Sequence, residues 1–285
     1  MKKPILFVLI LLLTSSLFGQ AWQVPKITFN DKELEKMKKE DLYIVTGYDK
    51  EFDESVKYAM DKYWKLTPVK YVNVNKIEEL KKNKTCKMCL SIGSFATLMY
   101  GKKYVHNELD LEVNFGFWSV DYKIQFDNLT KPSNEIIGAD NGFHPISNKI
   151  VLNIMMMCAE INRLQQMGKK EYDKYSSKDK LPSYTVYVPK ENLANDLSED
   201  IFKKNLAKVE FATTDDLKKK VMTQSDIENK AQLFITRSGS NTMLYIVDMK
   251  TGDLLAYSFV GDRGSFGTGK IVDDADIQSL FKRLK

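Results

Sequence analysis

The feature that most constrains this chain is a change of apolar period across residues 42–93, which reads strand, helix, strand, helix, strand. Leu42, Tyr43, Ile44 and Val45 form a short run of apolar, aromatic and β-branched residues, the pattern of a buried strand. Asp49 is placed to cap a helix in which Phe52, Val56, Ala59, Met60 and Tyr63 share one face. Pro68 stops that helix, because proline turns the preceding residue away from helical angles. Residues 69–74 read as the second strand, and Asn75 with Glu78 fits a capping box opening a short helix to Lys82. Residues 88–92 close the unit as a third strand. Helices between successive strands are crossovers of one hand, so the three strands are expected to be parallel.

Beyond Gly93 the period changes to alternation. Leu109, Leu111, Val113 and Phe115 are apolar at odd positions, Trp118, Val120, Tyr122, Ile124 and Phe126 at even ones. A two-residue type II′ turn at Gly116 and Phe117 accounts for the switch of parity. It sets Val113 opposite Val120, Leu111 opposite Tyr122 and Leu109 opposite Ile124, with Asp110 facing Lys123. Residues 128–145 carry three asparagines, two prolines and two glycines and read as a loop. Val151, Ile154, Met155, Cys158, Ile161 and Leu164 then recur at helical spacing, a long connecting helix that Gly168 ends. The charged stretch 169–183 reads as the domain boundary.

The same order of elements starts again at Tyr184. A strand over 184–188 is followed by a helix over 193–202, a strand over 209–211, a helix capped by Thr213, and a strand at Leu233, Phe234 and Ile235. A second hairpin joins 243–247 to 254–259 through Lys250, Thr251 and Gly252, a type I turn with glycine in the left-handed position. Residues 274–284 form a terminal amphipathic helix. The fold class is α/β (α+β): two repeated β-α-β-α-β-plus-hairpin units with mixed sheets, joined by a long helix.

The first residues stand apart. Lys2 and Lys3, an apolar run over 5–13 extending to Phe18, and Gly19, Gln20 and Ala21 form the three regions of a secretory signal peptide cleaved before Trp22. The apolar run is shorter than the roughly 20 residues of a spanning helix. No cysteine follows the cleavage point, so lipid anchoring is not expected. The expected organisation is residues 1–21 as signal peptide, 22–41 as an amino-terminal arm with a short helix around Leu34 and Met37, and 42–128 as the first unit. Loop and connecting helix take 129–183, and the second unit takes 184–285. The expected address is periplasmic or extracellular, with no integral membrane span after signal cleavage.

Over residues 42–93, and over 184–238, this order of elements resembles the α/β domain of the TolB amino-terminal and curli-transport-lipoprotein type. The resemblance implies a bacterial envelope module that works by assembly and not by catalysis. The acylated amino-terminal cysteine of the curli type is missing here, so membrane tethering is not carried over.

Composition narrows the partners. The formal charge of +5 falls to +3 once Lys2 and Lys3 leave with the signal segment, too small a surplus to imply nucleic acid. Among candidate sites, Cys86 and Cys89 share a C-x-x-C spacing that offers a structural disulfide, two thiols, or a redox pair. The redox reading has the wrong context, because the motif follows a helix and enters a strand. To complete four zinc ligands only Cys158, His106 and His144 remain, and no metal or cofactor is expected. Residues 264–271 nearly spell a phosphate-binding loop, but Ile271 replaces the hydroxyl residue that holds magnesium, which leaves a glycine-rich turn. Phe117 and Trp118, at the tip of the first hairpin, are the candidate partner contact. The expected function is binding of a protein or envelope component without catalysis. The alternatives are thiol-disulfide chemistry at Cys86 and Cys89, and a small ligand or glycan held between the two units. No pattern sets an oligomeric state.

Overall fold

The computed structural model describes residues 29–47, 50–82, 86–99, 102–114, 119–125, 147–190, 197–238, 241–261 and 274–284. The signal segment, Asp49, Phe117 and Trp118, His144 and the glycine-rich stretch 264–271 lie outside the described residues.

Among the described residues the chain is α/β with two mixed five-stranded sheets. Helix α1 (Asp31–Met37) precedes β1 (Leu42–Thr46), α2 (Lys50–Tyr63), β2 (Val69–Asn73), α3 (Val74–Lys82), β3 (Met88–Met99), β4 (Lys102–Asn114), β5 (Ser119–Gln125) and α4 (Ser147–Tyr172). After a 3₁₀ turn (Lys178–Ser183) come β6 (Thr185–Pro189), α5 (Glu199–Asn205), β7 (Val209–Ala212), α6 (Thr214–Thr223), β8 (Lys230–Ser238), β9 (Asn241–Asp248), β10 (Leu254–Gly261) and α7 (Asp274–Lys282). The first sheet runs β2-β1-β3-β4-β5 and the second runs β7-β6-β8-β9-β10. In each, the first three strands are parallel and the last two add antiparallel.

This strand order decides where the helices go. The chain leaves β1 for β2 on one side and then crosses back to β3 on the other, so two right-handed crossovers place their helices on opposite faces. Leu42, Ile44, Met88 and Leu90 accordingly pack with α2, while Tyr43, Val45 and Cys89 pack with Ile77 of α3. In the second sheet Val186, Val188, Leu233 and Ile235 pack with α5 and α7, and Tyr187, Phe234, Tyr245 and Val247 face α6.

The helix expected to connect two units is instead the middle of one core. Residues 150–158 of α4 are all buried, as a helix apolar on every side requires. One continuous cluster joins α1, α2, α4 and α6 to the facing sides of both sheets. The layers therefore run α3, first sheet, central helices, second sheet, then α5 with α7. Polar contacts tie the same joint: Tyr58 donates to the Met222 carbonyl at 2.7 Å, and Lys218 meets Glu51 at 2.7 Å. Most of the space between the halves, offered above to a ligand or glycan, is filled with side chains, apart from a cavity beside Glu160 near the end of α4.

Hairpin registers follow the sequence pattern. Leu109 pairs with Ile124, Asp110 with Lys123, Leu111 with Tyr122 and Val113 with Val120. Thr213 caps α6 by accepting the Asp216 N–H at 3.2 Å. Leu34 and Met37 are buried on α1, whose capping box is made by Asn30 and Glu33. Two expectations fail. Helix α3 already begins at Val74, and Asn73 Oδ1 accepts the Asn75 N–H at 3.0 Å, so Asn75 lies inside the first turn and is not its cap. Strand β3 runs on to Met99 and pairs with residues 102–113, a stretch in which mixed polar and apolar residues hide the strand period.

Candidate functional site

The apolar helix α4 turns polar near its end, where Glu160 and Arg163 stand one turn apart and are both buried, at 3% and 8% exposure. Arg163 Nη1 donates to Glu160 Oε1, and Nη2 donates to Asp253 Oδ1 in the β9–β10 turn. Tyr172 donates its hydroxyl to Glu160 Oε2 at 2.5 Å. The Tyr175 ring lies 4.3 Å from the guanidinium carbon, a cation–π contact. Ser177 donates to the Leu254 carbonyl at 2.5 Å, fastening the segment after α4 to the edge strand β10.

Backbone breaks make this convergence possible. Twelve residues of straight helix span about 18 Å, beyond the reach of a tyrosine, so Tyr172 meets Glu160 only because the helix breaks at Gly168, with φ +74°. Asp31 Oδ1 accepts the Lys169 N–H at 2.9 Å just beyond the break. On the other side, Gly252 has φ +77° as the type I turn requires, and a Cβ there would stand 2.5 Å from the Met155 carbonyl carbon. Only glycine lets the turn lie flat on α4 and present Asp253 to Arg163. Asp248 organises that turn by accepting the N–H groups of Lys250 and Thr251 at 2.7 and 3.1 Å.

The charges oppose one another. Burial raises the Glu160 carboxyl above the ordinary carboxylate range, although Arg163 and the Tyr172 hydroxyl pull it down. Burial alone would lower Arg163, but Glu160 and Asp253 reverse that and hold it above its usual value. One cation is thus shared by two carboxylates. Beside them lies a cavity of about 160 Å³ lined by Glu160, Tyr175, Ser176, Ser177, Leu254, Leu255 and Tyr257.

The residues singled out from sequence are elsewhere. Cys86 and Cys89 are 7% and 2% exposed and pack with Tyr43, Val45 and Ile77 beneath α3. No disulfide joins cysteines among the described residues. Reactive thiols are partly exposed in electropositive surroundings, so this buried placement fits core residues and not a redox pair. Cys158 is buried on α4, and burial pushes its thiol up to about 12. His106 contributes backbone to β4. Among the described residues no group of three metal-ligating side chains is assembled. The signal that sequence reading missed is the pair Glu160 and Arg163, one helical turn apart on an otherwise apolar helix. Asp253, 90 residues from Arg163, has no such signal.

Fold and cluster together define a two-sheet α/β protein whose halves are fastened by a buried ionic network. Compared with known protein families, curated protein sequences and solved structures, the chain matches none. Among the described residues no helix is long and apolar enough to cross a membrane.

Proposed function

We propose that this chain is an exported bacterial envelope protein that binds another protein or an envelope component without catalysing a reaction. The observation that carries the reading is the use made of its buried ionisable groups. Glu160, Arg163, Asp253 and Tyr172 bond to one another across the joint between the halves. Groups bonded to one another in this way hold packed elements in place, the use expected of a binding scaffold. The common strand order of the two sheets supports descent from one duplicated unit. Its likeness in element order to the TolB amino-terminal and curli-transport type supports a role in assembly. The charged and apolar regions of residues 1–21 support export, with removal of that segment before Trp22.

Two measurements test this. Residues 1–21 fused to a reporter active only outside the cytoplasm should give activity, and the mature chain should begin at Trp22 by mass spectrometry. A photo-crosslinker at Phe117 or Trp118 should trap one envelope component that also binds the purified chain, with binding lost in Phe117→Ala. An inactive reporter removes the export reading, and turnover abolished by a single polar substitution removes the non-catalytic one.

A further inference from the structure

We propose that the cavity beside Glu160 is a binding site for a small primary ammonium group. The argument begins with charge. The Arg163 guanidinium gives one nitrogen to Glu160 and the other to Asp253, so a single positive charge faces two negative ones. Asp253 is about one-quarter exposed and water makes up its share, whereas the Glu160 side chain is 4% exposed and borders the cavity. The net negative charge of the trio thus has one carboxylate at the cavity wall, only partly compensated by a shared cation, and a second cation there would offset the burial that disfavours its charge.

The shape of the site selects which cation. Each Glu160 oxygen already accepts one strong donor, Oε1 from Arg163 and Oε2 from Tyr172. What remains is one lone pair on each, which suits the separate N–H donors of an ammonium. A guanidinium fork needs both oxygens in a single plane, and a hard metal ion needs a fuller oxygen shell. Tyr175 and Tyr257 supply aromatic walls that attract cations, and the Ser176 and Ser177 oxygens supply further acceptors. Leu254 and Leu255 offer apolar surface for a short alkyl stem. At about 160 Å³ the space is close to that of an engineered cavity that takes benzene, hence a ligand of about six heavy atoms. A sugar ring with its hydroxyls is larger. The inference is independent of export, since the purified chain carries the site in any compartment.

The experiment is calorimetric titration of the purified chain at fixed ionic strength with n-propylammonium and, separately, with the neutral 1-propanol. Saturable binding of propylammonium with a Kd on the order of 1 mM is expected for so few atoms, with no saturable response to propanol. Glu160→Gln should weaken binding about tenfold or more, the loss of a charge-assisted contact. Because that variant touches the buried network, Tyr257→Leu, which keeps an apolar side chain against the core, serves as the second: it should weaken propylammonium severalfold while the chain still unfolds in one cooperative transition. Nα-acetyl-lysine amide separates the sources of the same chemistry, since binding as tight as propylammonium marks a peptide lysine and weaker binding marks a free small amine. Absence of saturation with propylammonium, or equal responses to amine and alcohol, overturns the proposal.

Discussion

The two sheets share a strand order but not a position in the stack, and their corresponding helices differ accordingly. Helix α4 follows the last strand of the first sheet, α7 the last strand of the second. The first is buried on all sides over 150–158, while the second buries Ile277, Leu280 and Phe281 and exposes Ala275 and Lys282. Likewise α3 covers an outer face, whereas its counterpart α6 buries Leu217 and Val221 in the shared core. Topology settles which face a crossover helix takes. Whether that helix must be apolar all round depends on what is stacked upon it. Among the described residues the joint holds the buried pair Glu160 and Arg163, the approach of the Gly252 turn to the Met155 backbone, and the unbonded amide of Asn153.

The comparison between joint and periphery breaks most readily at Arg163. Arg163→Ala leaves Glu160 buried without its cation and should cost about 3–5 kcal/mol in denaturant unfolding. Lys218→Ala, which removes a pair across the same joint whose Glu51 partner is exposed to water, should stay within about 1 kcal/mol. Equal losses for the two would mean that the network does not fasten the halves. Next come two glycines of nearly equal φ. Gly168→Ala meets only Asp31 oxygens at 3.7 Å, but at φ +74° and ψ 162° it lies in an extended region essentially reserved for glycine, and should cost about 1–3 kcal/mol in backbone strain alone. Gly252→Ala adds a collision with the Met155 backbone and should cost about 3 kcal/mol. A Gly252→Ala loss no greater than left-handed strain alone, about 1–2 kcal/mol, would refute the close docking of the turn on α4.

A smaller effect of opposite sign is expected at Asn153, buried on α4 with neither amide atom bonded. Asn153→Leu should stabilise the fold by about 1 kcal/mol, since an unsatisfied polar group is removed from the core. A loss of stability there would reveal a water held by the amide. The smallest test follows pH. Burial raises Glu160, so the folded state binds a proton more tightly than the unfolded one. Its contribution is complete below the ordinary carboxylate pKa and is lost as pH rises through the raised value. The unfolding free energy of wild type relative to Glu160→Gln should therefore decline over that window. A flat difference means that Arg163 and Tyr172 just offset burial, and a difference that grows with pH means that they outweigh it.

Much of the local structure was legible because it depends on neighbours in sequence. The parity switch between Val113 and Val120 names the register of the first hairpin, and Gly252 marks the second turn. The run at Thr213 and Asp216 announces its own cap. Misreadings arose where local signals compete: Asn73 and Asn75 are both good caps, and the strand geometry of β2 ended two residues too early for the second. The cysteine pair drew attention by its spacing, yet spacing says nothing of burial, and both residues lie under α3. The candidate site was half visible, as two charges on an apolar helix, and half invisible, since Asp253 lies in a turn that reads as ordinary.

Periodicity and turn chemistry, which act over a few residues, determined from sequence alone that this chain builds parallel strands with crossover helices and closes each set with hairpins. Tertiary structure alone decided that the two sheets share one core around α4. It also decided that Arg163 is divided between Glu160 and Asp253, and that a cavity opens beside the less hydrated of those carboxylates. The reason is physical: burial and charge compensation depend on which surfaces meet, and partners 90 residues apart leave no periodic trace of each other along the chain.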